Sequence, residues 1–223
     1  EATRFYNENE VGFGKMLDLS CGKGAEIIRM SDFENAEAFY DYIKEKGFGV
    51  VEEYLINHDK IREVYEPALN TMRMITIIGD DNEPHLFFAA QKFGVNGRFI
   101  DVHGIHAPID LETGIVHFPF HSGNTDTDLI YTKHPDTGYD LTNYEVPMFK
   151  EAKEMILRAA MKVPEMRYVG WDVAVTNKGP KIVEGNDYTA YDYMQLPYQN
   201  PSRIGVIPDI LKLVPSFKDE IYK

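Results

Sequence analysis

Gly170-Trp171-Asp172-Val173-Ala174-Val175-Thr176-Asn177-Lys178-Gly179-Pro180-Lys181-Ile182-Val183-Glu184-Gly185-Asn186 is the stretch that decides how this chain is read. Two β-rich runs flank Asn177-Lys178-Gly179-Pro180, and that turn chemistry predicts a hairpin with strands over 168–175 and 181–184. Asp172 stands near the start of the first strand and Glu184 at the end of the second, so pairing across the turn lets their side chains converge. Asn186, two residues beyond Glu184, shares its face if the chain stays extended. Two carboxylates and an amide oxygen are hard ligands that suit Mg2+, which keeps its other positions for phosphate and water. The competing reading is a pair of solvated acids at a hairpin end. The run Lys181-Ile182-Val183 puts Glu184 at the mouth of a buried strand and weighs toward the first reading.

Upstream, residues 12–17 and 25–30 read as strands joined by the flexible Ser20-Cys21-Gly22-Lys23-Gly24. This loop lacks the spacing of the Walker-type phosphate loop and of the dinucleotide fingerprint. Its glycines would still let backbone N–H groups approach a phosphate, with Lys23 and Lys15 supplying positive charge; an ordinary hairpin turn is the alternative. Ser31 and Glu34 form a capping-box pattern, and Phe33, Ala36, Phe39 or Tyr40, and Ile43 recur at helical spacing before Gly47.

Glu52-Glu53-Tyr54-Leu55 ends the next strand, and Asp59 opens a short helical segment over 59–66 that Pro67 closes. Such a junction can offer backbone groups to an adenine edge and a carboxylate to ribose hydroxyls. Residues 72–78 and 85–92 read as antiparallel strands, in which Arg73, alone among apolar neighbours, requires either an anionic ligand or an ion pair. A further hairpin is expected over 107–118, a long irregular stretch over 121–144, and an amphipathic helix over 145–161.

The chain has 223 residues, 43% of them hydrophobic, which suffices for one sizeable core or two small ones. Its net charge of -13, with no clustered basic face, argues against nucleic acid as a partner. One cysteine, Cys21, cannot form an intrachain disulfide, and it reads as a small loop residue rather than a nucleophile. No apolar stretch approaches the ~20 residues of a membrane span and no signal-peptide pattern is found, so a cytoplasmic protein is expected. His103 with His106, and His117 with His121, have spacings that suit helical metal sites, but both pairs lie in strand or turn sequence, which favours ordinary polar roles.

In order along the chain, the lysine strand, the glycine loop, the junction carboxylates, the arginine strand and the Asp, Glu-x-Asn hairpin resemble the ATP-grasp superfamily. Asn70-Thr71-Met72-Arg73, His134-Pro135-Asp136-Thr137-Gly138 and Gly170-Trp171-Asp172 are similar to its sugar-transfer-associated, glutamate-ligase-related branch. The resemblance covers residues 12–190 and implies an α+β fold of two subdomains with mostly antiparallel sheets gripping ATP between them. Residues 1–50 would form the smaller lid and 51–223 the larger lobe. Lys15, Gly22, Lys23 and Gly24 would close over the phosphates, Glu52, Glu53 and Leu55 would hold adenine, and Asp59 would take the ribose. Asp172, Glu184 and Asn186 match the metal positions, implying two magnesium ions, while Arg73 and Lys23 would serve the reacting phosphoryl group.

The implied reaction is ATP-dependent ligation: a small-molecule carboxylate becomes an acyl phosphate, which an amine or thiol attacks. Its setting in this branch would be cell-surface polysaccharide or amino-acid conjugate synthesis. An ATP-binding module without ligase activity, and a phosphotransferase of the same fold, are the alternatives. The oligomeric state is open, a dimer included. Three departures from the resemblance are expected to matter: the separate N-terminal domain common in ATP-grasp enzymes is missing or belongs to a longer parent protein, Gly170 and Trp171 stand where some relatives carry an arginine, and Asp187-Tyr188-Thr189 follows Asn186 in place of a serine-proline-glycine run.

Overall fold

The computed structural model describes residues 1–18, 24–101, 104–116, 120–122, 129–187, 189, 194 and 205–218. The chain divides into two compact units, Glu1–Ile56 and Asn57–Lys223. The division falls after Ile56 rather than after residue 50 because the strand Val50–Glu53 pairs with Val11–Lys15 and so belongs to the first sheet.

In the first unit, β1 (Val11–Lys15) lies between β2 (Glu26–Arg29) and β3 (Val50–Glu53), antiparallel to both. Alternation along β1 is one of size. Gly12 and Gly14 are buried, and Phe13 and Lys15 point to the opposite face. A Cβ on Gly14 would lie 2.8 Å from the Phe48 ring and 2.9 Å from Ile28, so glycine is what lets these side chains pack down onto the strand. Helix α1 (Ala2–Glu8), which no sequence pattern announced, and helix α2 (Ala36–Lys46) complete this core. Phe39 sits at its centre with Phe33, Tyr6 and Phe5 at 5.5, 5.9 and 6.1 Å between ring centroids, while Tyr40 stays exposed.

The start of α2 differs from the capping box expected at Ser31 and Glu34. Met30–Asp32 form a single 3-10 turn, and Asn35 is the cap: its Oδ1 accepts from the N–H groups of Glu37 and Ala38, both at 3.0 Å. One side-chain oxygen thereby satisfies two of the N–H groups left open at a helix start.

The second unit is built on an all-antiparallel sheet of seven strands. In chain order these are β4 (Thr71–Ile78), β5 (Pro84–Phe93), β6 (Ile105–Pro108), β7 (Phe120–Ser122), β8 (Ile130–Tyr131), β9 (Tyr168–Thr176) and β10 (Gly179–Asn186). Across the sheet they run β10-β9-β4-β5-β6-β7-β8. The helices are α3 (Asp59–Arg62), α4 (Phe149–Ala160) and α5 (Ile207–Leu213). The first ends before the expected residue 66. Helix α4 begins later than residue 145 because the preceding backbone is spent elsewhere: Glu145 bridges Ile115, and the Val146 N–H donates to Gly114 O at 3.0 Å.

The period of two decides the two faces of this sheet. Met72 and Met74 of β4, Phe93 of β5, and Trp171 and Val173 of β9 share a buried apolar cluster with Phe149, Ala152 and Ile156 of α4. Trp171, from the motif that precedes Asp172, is part of this packing and donates its indole N–H to Thr76 Oγ1 at 2.9 Å. The intervening residues, Thr71, Arg73, Lys92 and Asp172, belong to the other face.

Candidate functional site

That second face is assembled by strand register. Arg73 on β4 is directly opposite Asp172 on β9, and Asp172 is directly opposite Glu184 on β10. Directly opposed residues in antiparallel strands project to the same side of the sheet. Asn186 pairs with Gly170, one side-chain row further along the same face. Its Nδ2 donates to Glu184 Oε1 at 3.3 Å and to Gly170 O at 3.4 Å, which turns the amide oxygen away from both.

Regular pairing from the turn would not have produced this set. Gly179 faces Thr176 and Ile182 faces Val173, so an uninterrupted ladder would place Val183 opposite Asp172 and turn Glu184 to the Trp171 side. The register instead shifts between Ile182 and Glu184, leaving Val183 as the extra residue of a β-bulge. The bulge delivers Glu184, and with it Asn186, to the side of Asp172.

Asp172 is the electrostatic centre of the face. Its side chain is 10% exposed; Oδ1 is 3.2 Å from Arg73 Nε and 3.1 Å from Lys92 Nζ, and Oδ2 accepts from Arg73 Nη2 at 3.3 Å. Burial pushes its carboxyl up, against the pull of the Lys92 and Arg73 cations. Burial also works against charge on Lys92, but the carboxylates of Asp101 and Asp172 outweigh it and hold the ammonium above its ordinary range. The two readings sought for Arg73, anion site and ion pair, meet in one residue, since its partner is the Asp172 carboxylate. Its remaining nitrogen, Nη1, donates to Thr189 Oγ1 at 3.0 Å.

Gly170 makes that arrangement sterically possible. A Cβ there would lie 2.1 Å from Thr189 Oγ1 and 2.9 Å from Arg73 Nη1. The space that a larger residue at position 170 would fill is taken by the guanidinium from the adjacent strand and by the threonine from the segment after Asn186.

The strands that carry these groups are tied at their ends. Asn57 and Asn70 are both buried; Asn57 Oδ1 accepts from Asn70 N at 2.7 Å, and Asn70 Oδ1 accepts from Gly94 N at 2.9 Å, fixing the start of β4 beside the end of β5. Asp101 closes the same corner, its Oδ2 accepting from Thr71 N at 2.8 Å and Thr71 Oγ1 at 2.7 Å while Oδ1 lies 3.4 Å from Lys92 Nζ.

Asp59 lies at the far end of the β9–β10 hairpin. Its backbone N–H donates to Asn177 Oδ1 at 3.2 Å, and its exposed carboxylate is 3.5 Å from Arg62. In the first unit, Lys15 and Glu52 stand on neighbouring strands and form an ion pair, and Lys15 Nζ also lies 5.8 Å from the Phe13 ring centroid. Glu53 points to the opposite side of β3, Leu55 is half-buried beyond that strand, and Gly24 is in the left-handed region with φ 68°. Gly22 and Lys23 lie outside the described residues, as do Cys21, His103 and His117.

His134 is structural. It is buried; Nε2 is 2.8 Å from Gly94 O, Nδ1 accepts from the N–H groups of Asp136 and Thr137 at 3.3 and 3.4 Å, and the ring stacks on Tyr65. Burial pulls its pKa down. The His134–Gly138 segment is therefore a turn closed by its own side chain. His106 of β6 and His121 of β7 are paired in register on neighbouring strands. Among the described residues no group of three or more His, Cys, Asp or Glu side chains is placed to hold a metal.

Three residues of the face escaped sequence reasoning. Lys92 carried the signal that singled out Arg73, a cation inside an apolar strand, in Phe87-Phe88-Ala89-Ala90-Gln91-Lys92-Phe93. Asp101 and Thr189 had no local signal, because tertiary contact alone brings them to the site.

No curated protein matches the chain in sequence. Among solved structures, it is similar to the ATP-grasp ligase PsnB complexed with minimal precursor, Mg and ADP, at 16% identity and a TM-score of 0.43, over 84% of this chain and 41% of that one. It is also similar to the ADP complex of purK, N5-carboxyaminoimidazole ribonucleotide synthetase, at 13% identity and a TM-score of 0.37, over 83% of this chain and 36% of that one. The chain therefore spans less than half the length of either structure. Among the described residues, no helix is long and apolar enough to cross a membrane. The pattern that defines sugar-transfer-associated ATP-grasp proteins matches residues 22–204, a span that contains Arg73, Asp172, Glu184 and Asn186 and most of both sheets; on that evidence the chain belongs to the sugar-transfer-associated ATP-grasp family.

Proposed function

We propose that the chain binds ATP with magnesium and is the catalytic part of a ligase that activates a carboxylate as an acyl phosphate. The observation that carries this reading is the bulge-set convergence of Asp172, Glu184 and Asn186 on one sheet face beside Arg73. The residues fit a hard cation. Asp172 Oδ1 is a buried oxygen that accepts no well-directed hydrogen bond, and the set beside it is a second carboxylate and an amide. Asp172, Glu184 and Asn186 would hold magnesium, which when bound neutralises charge on the phosphate oxygens.

The chain's own groups account for the rest. Arg73, fixed by Asp172 and Thr189, presents a guanidinium to an anion in the partly dry environment where such a charge acts most strongly. Lys15 of the first unit and Asp59 of the second are proposed phosphate and ribose contacts respectively. Glu52, Glu53 and Leu55 are proposed to hold adenine, and Gly22, Lys23 and Gly24 to cover phosphate. Asp59 lies beside the turn of the hairpin, its backbone N–H on the Asn177 side chain.

In the reaction, a carboxylate oxygen attacks the terminal phosphorus, the bond to the bridging oxygen breaks, and ADP leaves. An amine or thiol then attacks the acyl carbon, releasing phosphate and giving up its proton. Cell-surface polysaccharide or amino-acid conjugate assembly, a cytoplasmic location and a dimer are proposed with it. Calorimetry of ATP with and without magnesium tests the first step, and absence of magnesium-dependent binding would refute it. ADP release that requires both an added carboxylate and an amine tests ligation. Release that needs one added acceptor and no second nucleophile, with phosphate retained on that acceptor by mass spectrometry, would replace it with phosphotransfer.

A further inference from the structure

We infer that Asp80 and Arg167 form a charge-sensitive latch that fastens α5 and the 3-10 turn Pro215–Phe217 as a strap, able to open while the seven-stranded sheet stays folded. Helix α4 is held by packing and buries Phe149, Ala152, Ile156 and Ala160. Neither α5 nor the turn after it contains a buried residue: Ile207 and Phe217 are exposed, and Ile210, Leu211, Leu213 and Val214 are half-covered. A helix of seven residues is too short to persist on its own hydrogen bonds. Polar contacts therefore have to hold the strap in place.

Those contacts converge on Asp80, in the turn between β4 and β5. Its Oδ2 accepts from Ser216 N at 2.8 Å, and its Oδ1 accepts from Ser216 Oγ at 2.9 Å and from Arg167 Nη2 at 3.0 Å. Its own N–H donates to Leu213 O at 2.9 Å. Arg167 is fixed to the sheet, its Nε donating to Ile78 O at 3.0 Å and its carbonyl accepting from Ile78 N at 2.8 Å. A Cβ on Gly79 would lie 3.0 Å from Leu213 O, so glycine beside Asp80 admits the backbone of the strap. The Ser216 N–H, with Arg167 and the Ser216 hydroxyl, holds the Asp80 carboxyl below its ordinary range. Asp80 and Arg167 are 31% and 47% exposed, so water competes for the latch and it opens more readily than the packed core. One carboxylate meets one guanidinium. A second negative charge at the Ser216 hydroxyl would face the Asp80 carboxylate and replace a hydrogen bond by repulsion.

Amide hydrogen exchange of the whole chain, read by mass spectrometry, tests the latch. In the wild type, residues 207–217 should exchange faster than the middles of β4 and β9 but slower than an unstructured peptide. Asp80→Ala should speed exchange of that segment on the order of tenfold or more, as expected for lost hydrogen bonds to a charged group, with both strands unmoved. Ser216→Glu should speed it by a similar factor, and Ser216→Ala by less. The Ser216 variants alter the strap and leave the sheet intact, so they carry the test should Asp80→Ala not fold. That order supports the inference. Wild-type exchange over 207–217 that matches either the strands or an unstructured peptide overturns it. So do variants that leave the segment unmoved or speed the strands equally, and so does Ser216→Glu exchanging no faster than Ser216→Ala.

Discussion

The two faces of the seven-stranded sheet are made by the same strands from alternate residues, yet they are held by different physics. Against α4 the strands present Met72, Met74, Trp171 and Val173, and stability comes from close packing of apolar side chains. On the other face Lys92, Asp101 and Asp172 are buried as charges beside the half-buried Arg73, an arrangement that costs desolvation and returns little net stability. The contrast teaches that packing does not account for the second face, and the proposed nucleotide site would. Apolar residues in the same positions would serve the fold as well or better.

The contrast can be broken most severely at its charged centre. Asp172→Ala is expected to lower magnesium-dependent ATP binding and turnover on the order of a hundredfold or more, judged from the effect of altering groups around metal ligands. Calorimetry and ADP release measure it, and circular dichroism should remain native. A variant that keeps its affinity would separate this face from nucleotide chemistry.

The opposite face is tested by Ile156→Ala, which empties a fully buried site of α4. It should lose about 2–5 kcal/mol of stability, seen as a lower urea midpoint, with binding per folded molecule unchanged. Between these lies Gly170→Ala, whose methyl group would meet Thr189 and crowd Arg73. Losing the Arg73–Thr189 hydrogen bond should cost about ten- to a hundredfold in turnover, in line with about 1.5–3 kcal/mol for a bond to a charged group. Stability should move less than in the Ile156 variant.

The smallest expected effect is a pH dependence belonging to neither face. Burial lowers the pKa of His134 in the folded state, so the unfolded chain takes up the proton more readily. Its neutral form favours folding above the unfolded value of about 6.5, and that contribution is lost as pH falls through the lower folded value. The urea midpoint should decline with acidification below about pH 6.5, and His134→Gln should flatten that decline while leaving nucleotide binding unchanged.

Much of this was legible along the chain. The long strands over 71–78 and 168–176 betray themselves by period and turn chemistry, and Asp172, Glu184, Asn186 and Arg73 by residue types that apolar strands rarely carry. Other features were not. Helix α1 has no buried residue of its own, so its apolar stripe was too weak to announce it, and Asn35 displaced a capping pattern that looked equally sound. Lys92 carries the same signal as Arg73, a cation inside an apolar strand. Asp101 and Thr189 could not be found, since Thr71 and Arg73, which hold them, are 30 and 116 residues away in sequence.

Local sequence determined which side chains could serve chemistry, because turn residues, alternation and the rarity of charge inside apolar strands act over a few residues. Tertiary structure alone decided which of them meet. The bulge at Val183 overrides the register that the turn would impose and turns Glu184 toward Asp172, and strand order sets Arg73 and Lys92 beside it. The physical reason is the period of two: one extra residue moves every later side chain to the other face, and only the pairing of strands reveals whether that residue is there.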